Sequence, residues 1–237
     1  MGRCCLEGLV DAAVLSGLKP GVNSKVLGGP SLGGLVLSAT CFKTCCCQKL
    51  GNTLVFLMYL IAKNKESQKK LYEEIMRLTP NGAQLDSHSL SEAHYLRACI
   101  MESFRVLPTA PCVARILESD LKLSDYYLKA GTVVLCHTWL AGLDESNFED
   151  AKSFSPERWL SADGTCSSVN IHPFLVVPFG VGRRVCPGKR FVELELQVIL
   201  AQIVRQFEID FEGEMELNFE FLLAPAAANF TMKERVR

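Results

Sequence analysis

Residues 178–188, Pro-Phe-Gly-Val-Gly-Arg-Arg-Val-Cys-Pro-Gly, constrain this chain more than any other stretch. One cysteine, Cys186, sits in a loop punctuated by glycines, with Arg184 two residues before it and an apolar, helix-periodic run after it. Glycines let a backbone turn tightly and come close to a flat ligand. Gly188 is placed to open a helix over Lys189–Gln206, whose unpaired N-terminal amides and dipole would stabilise a negative sulfur. Arg184 adds a fixed positive fork that suits a carboxylate. Together these features fit a thiolate presented to a metal. A lone cysteine without them reads as a small, inert, buried hydrophobe.

The rest of the chain supports a globular core. At 237 residues, 49% of them hydrophobic, it has the material for one domain or two. A net charge of −1 gives no footprint for nucleic acid. The eleven cysteines have no regular spacing; Cys4-Cys5 and Cys45-Cys46-Cys47 lack the C-x-x-C separation of a zinc site, so a reducing compartment is the simpler reading. Residues 1–50 are rich in Gly, Ser and Cys and broken by Gly28-Gly29-Pro30 and Gly33-Gly34, which reads as a poorly ordered leader. With a single arginine and with Glu7 and Asp11, it does not resemble a transit peptide.

From Asn52 the pattern becomes periodic. Asn52–Ala62 is apolar nearly all round, as a helix crossing a core would be, and too short to span a bilayer. Asn64 is placed to cap a helix over Lys65–Leu78, with Leu71, Ile75 and Leu78 on its inner face and Thr79–Gly82 ending it. A further helix is predicted over Ser91–Val106, where Glu102 and Arg105 share a face. Short strands are predicted at Val113–Leu117, Leu121–Leu123, Thr132–Cys136, Phe207–Phe211 and Asn229–Met232. Residues 160–174 read as a polar loop, and His137, with no partner spaced for it, as a structural histidine.

Phe179, Gly182, Arg184, Cys186 and Gly188 match the signature F-x-x-G-x-R-x-C-x-G at every fixed position. The chain thereby resembles the haem-thiolate cytochrome P-450 monooxygenases. Glu102-x-x-Arg105 and Pro156-Glu157-Arg158-Trp159 lie upstream in that family's order. The resemblance implies a mainly α fold with small β-sheets, residues 51–237 being its C-terminal haem-binding half and residues 1–50 unassigned or from a misjoined exon. It implies haem (iron protoporphyrin IX) as cofactor, with Cys186 as axial iron ligand, Arg184 and Arg115 holding propionates, Phe179 packing near the sulfur, and Gly182 and Gly188 shaping the loop. Glu102, Arg105 and Arg158 would form a buried triad bracing that loop. The implied reaction inserts one oxygen atom from O2 into an apolar, steroid-like substrate.

One element departs from the family. Where an acid and an alcohol normally precede Asn52-Thr53, this chain has Gln48 and Lys49. Gln cannot ionise and Lys cannot act as a short hydroxyl donor, so proton delivery through this pair is expected to fail and leak peroxide. That motivates an alternative reading, a truncated and inactive haem-binding fragment. Within the family the chain looks most like the arthropod mitochondrial steroid hydroxylases. Arg97, Lys189 and Arg190 fall where such members place contacts to a ferredoxin-type electron donor, although Met101 replaces a residue basic in some of them. The resemblance then implies the mitochondrial inner membrane, with peripheral membrane association. The alternatives are an NADPH-cytochrome reductase and the endoplasmic reticulum membrane.

Overall fold

The computed structural model describes residues 45–83, 85–167, 171–219 and 222–235. The readings of residues 1–44, Cys4-Cys5 included, lie outside them. The first helix, α1, runs Cys45–Lys63 and so begins upstream of the predicted start, because no breaker follows Thr44 and Gly51 is carried in the helix interior. Its segment Leu54–Ala62 is buried on every side. Withdrawing Leu54, Phe56, Leu57 and Ile61 from water contributes about 1.5–3 kcal/mol each. Helix α2 spans Lys65–Leu78 and buries Leu71 and Ile75, as its period predicts. Asn64 does not cap it through its side chain; its Nδ2 donates back to Leu60 O at 2.7 Å and closes α1 instead.

The helix predicted over Ser91–Val106 is two helices, α3 (Ser87–Glu92) and α4 (His94–Val106), broken at Ala93. Asp86 caps α3 by accepting from Ser89 N at 2.7 Å. Glu74, buried on α2, accepts from the free amides of Tyr95 (2.8 Å) and Leu96 (2.9 Å) and so caps α4 from another element.

Among the described residues, four two-stranded antiparallel sheets follow. Strand β1 (Val113–Ile116) is later joined by β4 (Val133–Cys136), and β2 (Leu121–Leu123) makes a hairpin with β3 (Tyr126–Leu128). A short helix, α5 (Thr138–Gly142), is capped by His137, whose Nδ1 accepts from Leu140 N at 3.3 Å, the structural role predicted for that residue. Helix α6 occupies Lys189–Gln206 with Gly188 before it, matching the predicted bounds. It leads into β5 (Phe207–Phe211), which β8 (Phe230–Glu234) pairs with; between them lie β6 (Leu217–Phe219) and β7 (Leu223–Pro225). The core gathers α1, α2, α4, α6 and β5. Among the described residues no helix is long and apolar enough to cross a membrane.

Candidate functional site

The cysteine loop is held by its own backbone. Gly180 N donates to Val177 O (3.0 Å), Val185 N to Gly182 O (3.1 Å) and Cys186 N to Phe179 O (2.9 Å). Gly180 and Gly182 take φ of +73° and +72°, a left-handed region that a side chain would strain. The loop thus doubles back on itself and leaves the half-buried Cys186 thiol at the head of α6. A Cβ built on Gly188 would stand 3.8 Å from Cys186 Sγ, so the sulfur lies against that glycine. The Phe179 ring meets Phe104 of α4 edge-on at 5.3 Å, and Lys189 Nζ stands 5.9 Å over it. Arg115 reaches the loop from β1, donating to Val181 O at 3.4 Å and to Ala114 O at 2.8 Å. Arg183 and Arg184 are exposed, with no hydrogen-bond or ion-pair partner among the described residues. Phe174, Val181, Val185, Phe191 and Leu194 leave an uncovered apolar rim on this loop and the start of α6.

Behind the loop, Glu102, Arg105 and Arg158 come together. The Glu102 and Arg105 side chains are fully buried. Arg105 donates Nε to Glu102 Oε2 (2.8 Å) and Nη2 to Oε1 (2.7 Å), and Arg158 Nε donates to Oε1 at 2.9 Å. Two further donors were not legible in the sequence: Ser155 N (2.9 Å) and Trp159 Nε1 (2.8 Å). Arg105 is completed by the carbonyls of Gly142, Ala151 and Ser153, and Phe148 lies under both guanidiniums. Buried charges persist only when paired and hydrogen-bonded in this way. The network pins residues 142–159 onto α4, immediately upstream of the segment that feeds the cysteine loop.

The other predicted charges are dispersed. Arg97 is half-buried on α4, donating to Ser91 O at 2.9 Å and meeting His94 Nδ1 at 2.6 Å. Lys189 is exposed and lies 3.9 Å from Glu193, while Arg190 is exposed with no partner among the described residues. Burial raises the Glu193 carboxyl, with Lys189 opposing. Lys49 is exposed on α1, and the Gln48 side chain lies outside what is described. Sequence reasoning missed Glu195 on α6: it is 3% exposed, neither carboxylate oxygen has a hydrogen-bond partner among the described residues, and burial pushes its pKa up to about 7. Among the described residues no cluster of His, Cys, Asp and Glu is arranged to hold a metal ion by itself.

A thiol at a helix head, free guanidiniums next to it and an apolar rim suit a flat, dianionic group ligated through sulfur, and in that respect the residues fit haem. The comparisons agree with the class of protein this describes. The cytochrome P-450 family model matches residues 50–232, and the chain belongs to that family, whose members use haem. It is 45% identical over 179 residues to ecdysone 20-monooxygenase of Drosophila melanogaster, covering 75% of this chain and 33% of that protein. It is 35% identical over 158 residues to the mitochondrial 1,25-dihydroxyvitamin D(3) 24-hydroxylase of Rattus norvegicus, covering 67% and 30% respectively. The Mus musculus protein of the same name is 37% identical over 158 residues, with the same two shares. The chain spans about a third of the length of these relatives. Their names bear out the resemblance to mitochondrial steroid-type hydroxylases and do not favour the inactive-fragment alternative.

Proposed function

We propose that this chain carries the thiolate side of a haem-dependent monooxygenase, with Cys186 as the axial iron ligand and an apolar, steroid-like molecule as substrate. The observation that carries the reading is the half-buried Cys186 thiol, held at the head of α6 by a loop that closes through Phe179 O and Cys186 N at 2.9 Å. When bound there, haem would supply the iron chemistry that activates O2. The protein's part is to hold and to screen. Cys186 presents its sulfur at the head of α6, against Gly188. Arg184, without a side-chain partner among the described residues, and Arg115, already tied to Val181 O, would hold the two propionates. Phe179 fixes the loop backbone while its ring fills the space toward Phe104. The Glu102–Arg105–Arg158 network keeps the cysteine loop's support rigid.

The substrate class is supported by the names of the relatives, an ecdysone 20-monooxygenase and a 1,25-dihydroxyvitamin D(3) 24-hydroxylase. Their mitochondrial names support the same compartment and, at its inner membrane, a ferredoxin-type electron donor. Lys189 and Arg190, exposed at the head of α6, with Arg97 on α4, are the basic residues such an acidic donor would meet. Turnover of an ecdysteroid with NADPH, ferredoxin reductase and ferredoxin tests the reading. Activity that falls with salt and with Arg190→Glu supports it; equal activity with a microsomal reductase and indifference to Arg190→Glu would count against the donor assignment.

A further inference from the structure

Beside the cysteine loop lies a cavity that no part of the proposed function uses. It encloses about 220 Å3 between α4, residues 173–181 and the start of α6. Its walls are apolar, with Met101 of α4 on one side and Val176, Phe179 and Val181 on the other. An apolar cavity of about 150 Å3 takes up one benzene ring, so this one has room for a ring and a small substituent. The wall formed by residues 173–181 is held by the bonds that close the loop, Gly180 N to Val177 O at 3.0 Å and Cys186 N to Phe179 O at 2.9 Å.

Lys189 and Glu193, one turn apart on α6, supply the polar side chains of the lining. Lys189 Nζ stands 3.9 Å from Glu193 Oε1, beyond hydrogen-bond reach, and no other group among the described residues is bonded to that carboxylate. The same Nζ lies 5.9 Å over the Phe179 ring. A hydroxyl set between the two charges would accept from Lys189 and donate to Glu193. A carboxylate there would face Glu193, and an ammonium would face Lys189, as like charges. We propose that this cavity is a binding site for a small phenol, its ring against Met101, Val176 and Phe179 and its hydroxyl bridging Lys189 and Glu193. Phe179 O is the acceptor for the Cys186 amide, so a filled cavity keeps the cysteine loop closed. The site does not draw on haem being bound, and it can fail while the proposed function stands.

The test titrates phenol into the full chain by calorimetry, beside toluene, which keeps the shape and lacks the hydroxyl. Phenol is expected to occupy one site about tenfold more tightly than toluene, the worth of a hydrogen bond to a charged group. Val176→Trp fills the cavity with an indole and should abolish binding. Glu193→Ala, at a half-buried position, should bring phenol down to the toluene level, and it carries the test where the tryptophan protein does not fold. At ten times its Kd, phenol should slow hydrogen exchange at the Cys186 amide about tenfold, because openings of the loop release it. No saturable binding would mean that water alone fills the cavity and would overturn the proposal. Equal affinity for phenol and toluene, phenol binding that survives both substitutions, or unaltered exchange at Cys186 would overturn it as well.

Discussion

Replacing Glu102 with alanine removes, in one step, the acceptor for Arg105 Nε and Nη2, Arg158 Nε, Ser155 N and Trp159 Nε1. Arg105 would keep the carbonyls of Gly142, Ala151 and Ser153, but these are dipoles and not a counter-charge. Its guanidinium is fully buried and cannot swing to solvent. Removing one partner of a buried ion pair costs about 3–5 kcal/mol, because the other charge is left uncompensated. A domain has only about 5–15 kcal/mol to lose. Glu102→Ala is therefore expected to unfold residues 142–159 from α4 and to lose haem with them. Glu102→Gln keeps the shape but turns an amide N–H2 toward donors; its expected cost is smaller, about 1.5–3 kcal/mol. Urea unfolding of the full chain and the haem-to-protein ratio measure both effects. A Glu102→Ala protein within about 1 kcal/mol of the parent, carrying a full complement of haem, would refute the reasoning.

Glu195 makes stability depend on pH: an acid whose folded pKa is raised from 4.5 to about 7 favours the folded state below pH 4.5 and forfeits that advantage as pH rises to about 7. The loss is on the order of 3 kcal/mol, and Glu195→Gln should flatten that part of the pH profile of urea denaturation; parallel profiles would exclude the carboxyl as its source. Two glycines should respond in opposite directions to alanine. At Gly182, φ is +72° with open space around the Cα, so alanine should cost about 1 kcal/mol of backbone strain. At Gly51, inside α1 and equally open, alanine should stabilise by about 0.5–1 kcal/mol, and thermal melts of the two variants check the pair of signs. Restoring an acid and an alcohol with Gln48→Asp and Lys49→Thr should lower the peroxide released per electron pair consumed; an unchanged peroxide yield would show that proton delivery does not pass there.

The parts of the fold that were legible in the sequence are those specified locally. Helix α6 is bounded by Gly188 and by the switch to the alternating Phe207–Phe211, and both ends fall where predicted. The contact of Glu102 with Arg105 follows from helical spacing, and that with Arg158 from the family motif. What was missed depends on distant partners. The break at Ala93 exists because Glu74, nineteen positions upstream, offers its carboxylate to the α4 amides, and no residue near Ala93 announces it. Strand β3 was not predicted because its turn uses Ser124 at φ +52° in place of a glycine. Strand β7, Leu-Ala-Pro, has little intrinsic strand preference; its backbone is recruited by Thr109 and by β6. Trp159 entered the charged network unannounced, since an indole reads from sequence as core packing and its N–H partner cannot be seen.

The proposed function stands on the sulfur of Cys186 binding iron. The reduced, carbon monoxide-bound minus reduced difference spectrum of the full chain tests it most directly, with Cys186→Ser beside it. A thiolate-type Soret band is expected in the parent and not in the serine protein. A parent with no such band, or a serine protein that keeps it, would rule out Cys186 as the iron ligand.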